Sequence, residues 1–184
     1  IKVNQKLQTS CTNIFAAGDL ISVIEFRTNK QIYLPLASLA HSYGHIAGEN
    51  AAGGNVYAKP IVKNISLKIF NKFFTSVGLT SDEAAKHKIN FNSVEEISSN
   101  LVKVMPNSTS VYGKLIFEKR CGKIIGASFF GDKEVSGYSD LISALIKLRG
   151  TVDNLSEIDY NYTPPLSPFL NILSVLGRKA RKIK

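Results

Sequence analysis

Cysteine is scarce in this chain of 184 residues, and the two that are present, Cys11 and Cys121, lie far apart. The sequence has no CxxC pair and no cluster of cysteine with histidine, so neither a zinc site nor a disulfide framework is indicated. Isolated cysteines of this kind are typical of reduced thiols, and we expect a cytoplasmic protein. No apolar run is long enough to cross a membrane and no secretory leader is recognisable, so we also expect no membrane partner.

Acidic residues are outnumbered by basic ones, 14 against 23, which gives a formal net charge of +9. Such a charge permits nucleic acid, a phosphate-rich ligand or an acidic surface as a partner. No RNA-recognition, helix-turn-helix or zinc-finger pattern accompanies the charge, so we expect no nucleic-acid partner. Five of the cations lie in residues 178–184, a pattern typical of a solvated terminus.

The 13 glycines include no GxGxxG fingerprint for a dinucleotide. The apolar fraction of 44% and the charged fraction of 20% are ordinary for a globular chain that buries a core. The first residue is Ile1 and not Met, and we expect a piece of a longer protein.

A short apolar run, residues 13–19, ends in Gly18-Asp19. The run predicts a buried strand whose end delivers the Asp19 carboxylate to the edge where open α/β sheets bind ligands. A strand followed by an ordinary Gly-Asp turn is the alternative that this feature leaves open.

A helix rich in small residues is predicted from Pro35 to its end at Gly53-Gly54. The free N–H groups near Leu36 and Ala37 could hold an anion or an electron-rich oxygen. His41 and His45 lie four residues apart on this helix, but no third metal ligand is apparent. We therefore expect these histidines to pack or form hydrogen bonds, and we expect no metal site.

The sequence pattern changes after Tyr57, and we place a domain boundary there, giving domains 1–57 and 58–184. Alternating and apolar segments predict strands at 65–70, 73–77, 111–118 and 123–130, with residues 119–122 as the turn of an antiparallel hairpin. Thr80 and Glu83, at capping-box spacing, predict a short helix, and Thr151 can cap a following turn. Longer helices are predicted at 135–149 and 166–176. This order of elements is an α+β layer.

Several segments together resemble one family. Residues 9–19 resemble the second flavin-binding signature of the FAD-dependent pyridine nucleotide-disulfide oxidoreductases, and Pro35-Leu36-Ala37 follows at the usual place. Residues 114–117 and 122–127 look like the central hairpin of that family's C-terminal dimerisation domain. Residues 151–155 and 159–168 are similar to the ending of its CoA-disulfide reductase and NADH oxidase branch.

The resemblance implies the C-terminal part of a longer enzyme that passes electrons from NAD(P)H through FAD to a disulfide, a sulfur species or oxygen. The implied fold is α+β. A dimerisation domain with an antiparallel sheet and flanking helices covers 58–184, and the last strand and helix of an FAD-binding Rossmann-type domain cover 1–57. The missing N-terminal FAD and NAD(P)H domains would supply the redox cysteine, which neither Cys11 nor Cys121 matches. We expect this chain alone to be inactive and to bind FAD weakly or not at all.

The resemblance also implies roles for a few residues. Gly18 and Asp19 match the end of the signature whose aspartate hydrogen-bonds the ribityl chain of the flavin. Leu36 and Ala37 begin the helix whose N-terminus points at the flavin pyrimidine edge. Tyr162 matches the tyrosine that reaches the active site of the partner subunit. Residues 104–107 lack the second tyrosine often found in the branch, which leaves CoA disulfide, polysulfide and oxygen open as acceptors.

We expect a homodimer through residues 61–184. The resemblance favours it, and so does an apolar surplus near the C-terminus at Leu166, Phe169, Leu170, Ile172, Leu173 and Leu176. Two other classes of function stay open at this point. One is a stand-alone dimerisation or interaction module without catalysis, and the other is a basic nucleic-acid-binding domain.

Overall fold

A computed structural model describes all 184 residues and divides them into two compact units, Ile1–Ile61 and Val62–Lys184. The division falls after Ile61, whereas the change in sequence pattern lies at Tyr57. The two units are described in turn.

The first unit contains a short antiparallel hairpin, β1 (Val23–Ile24) with β2 (Gln31–Ile32), and one helix, α1 (Ala37–Ala51). Its small core contains the buried side chains Leu7, Ala16, Ile21, Val23 and Tyr43. The buried Asn50 amide donates to the carbonyls of Lys6 and Val56 and accepts from the Val56 N–H. These bonds tie the end of α1 to the segments on both sides of it.

The buried strand predicted at residues 13–19 does not form. The segment makes one isolated antiparallel bridge, between Gln8 and Phe15, and the Ile14 side chain is 55% exposed. A strand is stabilised by a ladder of hydrogen bonds to a neighbouring strand, and this chain supplies no such neighbour here. The segment ends at Gly18, whose φ of +86° lies in the left-handed region that glycine adopts without strain.

The predicted small-residue helix is confirmed as α1. It begins at Ala37 after the N-cap residue Leu36, so Pro35 stands just outside it. It ends at Ala51, and Gly53 follows with a φ of +94°, as expected for a glycine that terminates a helix.

The second unit is built on a five-stranded antiparallel sheet in the order β3-β4-β7-β6-β5. The strands are β3 (Asn64–Ile69), β4 (Lys72–Gly78), β5 (Phe91–Ser99), β6 (Ser110–Glu118) and β7 (Ile124–Gly131). Four of them match predicted strands, including the β6–β7 hairpin. The edge strand β5 was not predicted, because its apolar residues Phe91, Val94 and Ile97 recur at every third position. In a half-buried strand, apolar and polar residues alternate at every second position.

Four helices accompany the sheet: α2 (Ser81–Lys86), α3 (Glu134–Lys147), α4 (Val152–Glu157) and α5 (Ile172–Arg181). Capping boxes open two of them, Thr80 with Glu83 at α2 and Thr151 with Asn154 at α4, which confirms both predicted helix starts. No helix in the chain is both long enough and apolar enough to pass through a bilayer.

The last predicted helix, residues 166–176, starts too early. Helix α5 begins at Ile172, and the Asn171 side chain caps it by accepting from the Leu173 N–H at 3.0 Å. Pro168 has no N–H to contribute to a helix and disfavours helical backbone at the residue before it. The apolar residues from Leu166 to Leu170 therefore lie in an irregular segment, while Ile172, Leu173 and Leu176 are buried.

The basic C-terminus is not simply solvated, contrary to the sequence prediction. Lys179 pairs with Glu96 of β5 at 2.5 Å, and Arg181 pairs with Asp153 of α4 at 3.0 Å. Lys184 also pairs with Asp153. Three of the cations thus attach the last helix to its neighbours.

Helices α3 and α5 cover one face of the sheet, where Leu115, Phe117 and Phe129 are buried. Gly113 lets α5 come close, since a Cβ there would lie 2.9 Å from Leu176 Cδ1. The opposite face carries Lys114 and Ser128 and is partly covered by α2, whose Ala84 packs on Ile116.

Candidate functional site

In the first unit, Gly18 lies against the first turn of α1. A Cβ at Gly18 would lie 3.7 Å from the Ala40 Cβ, and the Gly18 carbonyl accepts from the Ile21 N–H at 3.2 Å. The side chain of Asp19, which follows, is exposed. The structure therefore brings the predicted Gly18-Asp19 turn beside the N-terminal turn of the predicted helix.

The N-terminus of α1 has unoccupied backbone donors. Leu36 has extended backbone angles (φ −138°, ψ 129°) and offers no side-chain cap, and the first turn contains no acidic residue. The N–H groups of this turn, including that of Ala37, are therefore available to an acceptor, and the helix dipole makes this end positive.

These residues fit one side of the FAD that the resemblance implies. The Asp19 carboxylate can accept hydrogen bonds from hydroxyl groups, and the first turn of α1 can donate to the carbonyl groups of a ring edge. Helix α1 continues past this turn with an open surface of small residues, where a Cβ at Gly44 or Gly48 would meet nothing within 4 Å. The chain has no GxGxxG segment to hold a pyrophosphate, so the fit covers the flavin end alone.

The two histidines of α1 contact each other. Their ring centroids are 4.6 Å apart and the rings are nearly perpendicular, at 84°. Both side chains are exposed, and no group of three or more potential metal-ligating residues exists in the chain.

In the second unit, Tyr162 lies in an apolar patch that we define by four side chains. The exposed fractions are 48% for Tyr162, 76% for Leu166, 75% for Phe169 and 46% for Leu170. The Tyr162 and Phe169 rings meet edge to face, with centroids 5.5 Å apart and an interplanar angle of 89°. The patch thus presents a phenol on a large apolar surface.

Ser167 holds the segment that carries this patch. Its hydroxyl donates to the Asn161 carbonyl at 3.2 Å and accepts from the Thr163 N–H at 3.3 Å. Ser167 is buried, although its neighbours Leu166 and Phe169 are exposed. Sequence reasoning gave Ser167 no role, and the one signal it offered was a small polar residue directly before Pro168.

Tyr160 and Tyr162 have opposite environments although they are two positions apart. The Tyr160 hydroxyl donates to the Leu155 carbonyl at 2.9 Å, and burial raises the pKa of this phenol well above its usual range. The Tyr162 ring, in contrast, is held by its ring contact, and its hydroxyl is free to meet another molecule. Tyr160 therefore anchors the segment to α4, whereas Tyr162 is the more exposed of the two phenols.

The stretch that replaces the second tyrosine is a surface turn. Val104 is 87% exposed, and Asn107 has a φ of +67°. The predicted site residues therefore form two groups, Gly18, Asp19, Leu36 and Ala37 in the first unit and Tyr162 in the second.

Comparison with known proteins gives a consistent result. The family model described as "Pyridine nucleotide-disulphide oxidoreductase, dimerisation domain" matches residues 66–171. An NADH oxidase of Methanocaldococcus jannaschii is 29% identical over 182 residues, which cover 99% of this chain and 40% of that protein. A coenzyme A disulfide reductase of Staphylococcus haemolyticus is 28% identical over 184 residues, or 41% of its length.

Among solved structures, a NAD-dependent persulfide reductase from A. fulgidus superposes with a TM-score of 0.92 at 28% identity, over 98% of this chain and 33% of that one. The chain thus spans about 40% of the length of the curated relatives that it matches.

Proposed function

Because this chain belongs to the pyridine nucleotide-disulphide oxidoreductase family through its dimerisation domain, we propose that it is the C-terminal part of a longer flavoprotein. That flavoprotein would pass electrons from NAD(P)H through FAD to a disulfide, another sulfur species or oxygen. In this proposal the second unit joins two subunits, and the first unit completes one side of the flavin site. The names of the relatives, which include an NADH oxidase and a coenzyme A disulfide reductase, support this range of acceptors.

The observation that carries the proposal is the apolar patch with its exposed phenol. Four large side chains, each close to half exposed or more, would lose contact with water if a second copy of the chain covered them. A two-fold interface repeats each contact, so both Tyr162 residues would be carried into the opposite subunit. A dimer would therefore bury the patch and deliver a phenol to each active site.

Within such a dimer, the residues of this chain would bind, orient and supply a proton. The Tyr162 hydroxyl would donate a hydrogen bond to a sulfur or oxygen atom that gains negative charge, or give it a proton. Asp19 would accept hydrogen bonds from the flavin hydroxyls, and the first turn of α1, from Ala37, would stabilise negative charge at the ring edge. The bound FAD would supply the electron-transfer chemistry.

The two cysteines have no part in this mechanism. Both thiols are free and exposed, Cys11 in the first unit and Cys121 in the β6–β7 turn. The redox-active cysteine would come from the rest of the longer protein. Free exposed thiols also support the proposal of a cytoplasmic location, since reducing compartments keep such thiols reduced.

Light scattering on the purified chain tests the subunit-joining role. We expect a mass close to twice the 20.1 kDa of one chain at micromolar concentration. Leu166→Glu and Phe169→Glu place charges in the patch and should give monomers that keep the circular dichroism of the wild type. Phe70→Glu is the matched control, because Phe70 is 93% exposed in the β3–β4 turn and should leave the dimer intact. A wild-type monomer would overturn this role.

A further inference from the structure

One end of the second unit, where the β6–β7 turn lies, is strongly basic. We call this surface the basic end and define it by six exposed cations from three segments: Lys119, Arg120 and Lys123 of the turn, Lys147 and Arg149 at the end of α3, and Lys182 near the C-terminus. The basic end shares no residue with the apolar patch, and none of its residues has a role in the proposed function.

Hydrogen bonds in the second unit show that these segments meet at the turn. The Ile124 N–H, just after the turn, donates to the Gly150 carbonyl at 3.0 Å, and the Val152 N–H donates to the Gly122 carbonyl at 2.9 Å. The C-terminus is held at the same place, because Asn92 Nδ2 donates to the Ile183 carbonyl at 2.6 Å. A Cβ at Gly122 would also lie 3.4 Å from Lys184 Cδ.

Few acidic groups balance this charge. Asp153 is already paired with Arg181 and Lys184, which are outside the six cations. Glu118 lies at the start of the turn, where its Oε2 is 3.7 Å from Cys121 Sγ. One carboxylate beside the turn is outnumbered by the surrounding cations, so this end attracts anions.

Two exposed apolar side chains are interleaved with the cations. Leu148 is 79% exposed between Lys147 and Arg149, and Ile183 is 48% exposed between Lys182 and Lys184. An apolar side chain flanked by cations fits the boundary of an anionic bilayer, where the side chain enters the acyl region and the cations meet lipid headgroups. Nucleic acid would be favoured by aromatic side chains for base stacking, and residues 119–123, 147–151 and 182–184 contain none.

We propose that the basic end is a docking surface for an anionic lipid bilayer. The turn and the two flanking segments lie on the bilayer, with Leu148 and Ile183 at the level of the headgroups. The absence of a spanning helix does not oppose this, since peripheral docking requires none. This proposal departs from the expectation of no membrane partner, which was based on the lack of long apolar runs and of a secretory leader.

Co-sedimentation of the full chain with vesicles tests the charge requirement. We expect binding to vesicles of phosphatidylcholine with phosphatidylglycerol, no binding to phosphatidylcholine alone, and release at 1 M salt, where the Debye length is about 3 Å. The double variant Lys147→Gln with Arg149→Gln should lower the partition coefficient for anionic vesicles about 25-fold, because each cation near the bilayer surface contributes a factor of about five. Lys68→Gln with Lys103→Gln is the control, since it removes equal charge from elsewhere in the second unit and should have little effect.

The apolar side chains are tested without any change in charge. Leu148→Ser with Ile183→Ser should weaken binding to the same anionic vesicles, whereas Phe70→Ser should not, because Phe70 lies in the turn at the other end of the sheet. If the double variant binds as the wild type does, and an RNA homopolymer displaces the protein from vesicles, the surface is a general polyanion site and the lipid proposal is wrong.

A fluorescent label gives an independent measurement. In the Cys11→Ser variant, an environment-sensitive fluorophore on Cys121 should shift to shorter wavelength when anionic vesicles are added. The same label on a cysteine at position 70, in the Cys11→Ser, Cys121→Ser, Phe70→Cys variant, should shift less, because Phe70 lies in the turn at the other end of the sheet. Equal shifts, or none, would contradict docking through the β6–β7 turn.

Discussion

The Tyr162 ring is perpendicular to the Phe169 ring, and the centroids are 5.5 Å apart. An edge-to-face contact of this kind fixes the orientation of a ring without using its hydroxyl group. In the proposed dimer, Phe169 would therefore act as a positioning residue, and the Tyr162 hydroxyl would remain available to the partner subunit. The backbone around it is fixed by Ser167, so the phenol belongs to an ordered segment.

Tyr162→Phe in the complete enzyme should lower turnover with a sulfur substrate roughly 10²–10³-fold, as expected for the loss of one hydrogen bond to a developing charge. Phenylalanine keeps the ring contact with Phe169, so flavin content and dimer mass should not change. Tyr57→Phe is the control, since Tyr57 is 50% exposed in the first unit and contacts Lys6 through its ring face. Wild-type turnover in the Tyr162 variant would reduce Tyr162 to a packing residue.

The features that the sequence predicted well depend on contacts within a few residues. The capping box of Thr80 with Glu83 is complete within four residues, so its sequence signal is sufficient. Thr151 likewise caps the turn that directly follows it. The β6–β7 hairpin likewise needs one turn and two apolar segments.

The features that it missed depend on distant parts of the chain. Strand β5 forms because β6 pairs with it from Phe91 to Ser99, although its own pattern does not alternate. The segment before Asp19 has the composition of a buried strand but finds one bridge partner, Gln8, so no strand forms. The exposure of Tyr162 beside a half-buried Tyr160 depends on the hydrogen bond that Tyr160 donates to the Leu155 carbonyl, which no local pattern indicates.

The chain alone should bind FAD weakly or not at all. The residues proposed to contact the flavin, Gly18, Asp19 and Ala37, are present, but the chain has no GxGxxG segment to hold the pyrophosphate at a helix N-terminus. Titration of FAD should give no saturable change in its fluorescence at micromolar protein. In the complete protein, Asp19→Asn should lower the flavin retained after purification. Stoichiometric, tight binding of FAD by the chain alone would refute this expectation.

Gly126→Ala should destabilise the second unit by more than about 4 kcal/mol. A Cβ there would lie 2.0 Å from the Leu79 carbonyl oxygen, and this backbone cannot move away easily because the Leu79 N–H donates to the Ile125 carbonyl. Gly137→Ala is the matched substitution, because Gly137 lies in α3 and a Cβ there would meet no atom within 4 Å. This substitution should stabilise the second unit by about 0.5–1 kcal/mol. Urea unfolding measures the free energy of unfolding of both variants. A small decrease for Gly126→Ala would mean that β7 and Leu79 can move apart to make room for the added methyl group.

Asp132 should make the stability of the second unit depend on pH in the acidic range. Lys72 Nζ lies 2.7 Å from one carboxylate oxygen, and the Thr109 hydroxyl and the Asn100 amide donate to the other. These hydrogen bonds lower the pKa of the Asp132 carboxyl in the folded state, and the bond from Lys72 has the largest effect. Because the folded pKa is lowered, the stabilisation is complete above the pKa of the unfolded chain and is lost as the pH falls through the folded pKa.

The Asp132→Asn variant isolates this contribution. At pH 7 it should unfold more easily than the wild type by about 1 kcal/mol, a modest value because the carboxylate is partly exposed. Below about pH 4, near the ordinary pKa of an aspartate, the difference should shrink because the unfolded chain takes up its proton first. The difference should be lost once the pH has fallen through the lowered pKa of the folded carboxyl. A constant difference between the Asp132 variant and the wild type from pH 7 to pH 2 would show that Asp132 acts through packing and not through its charge.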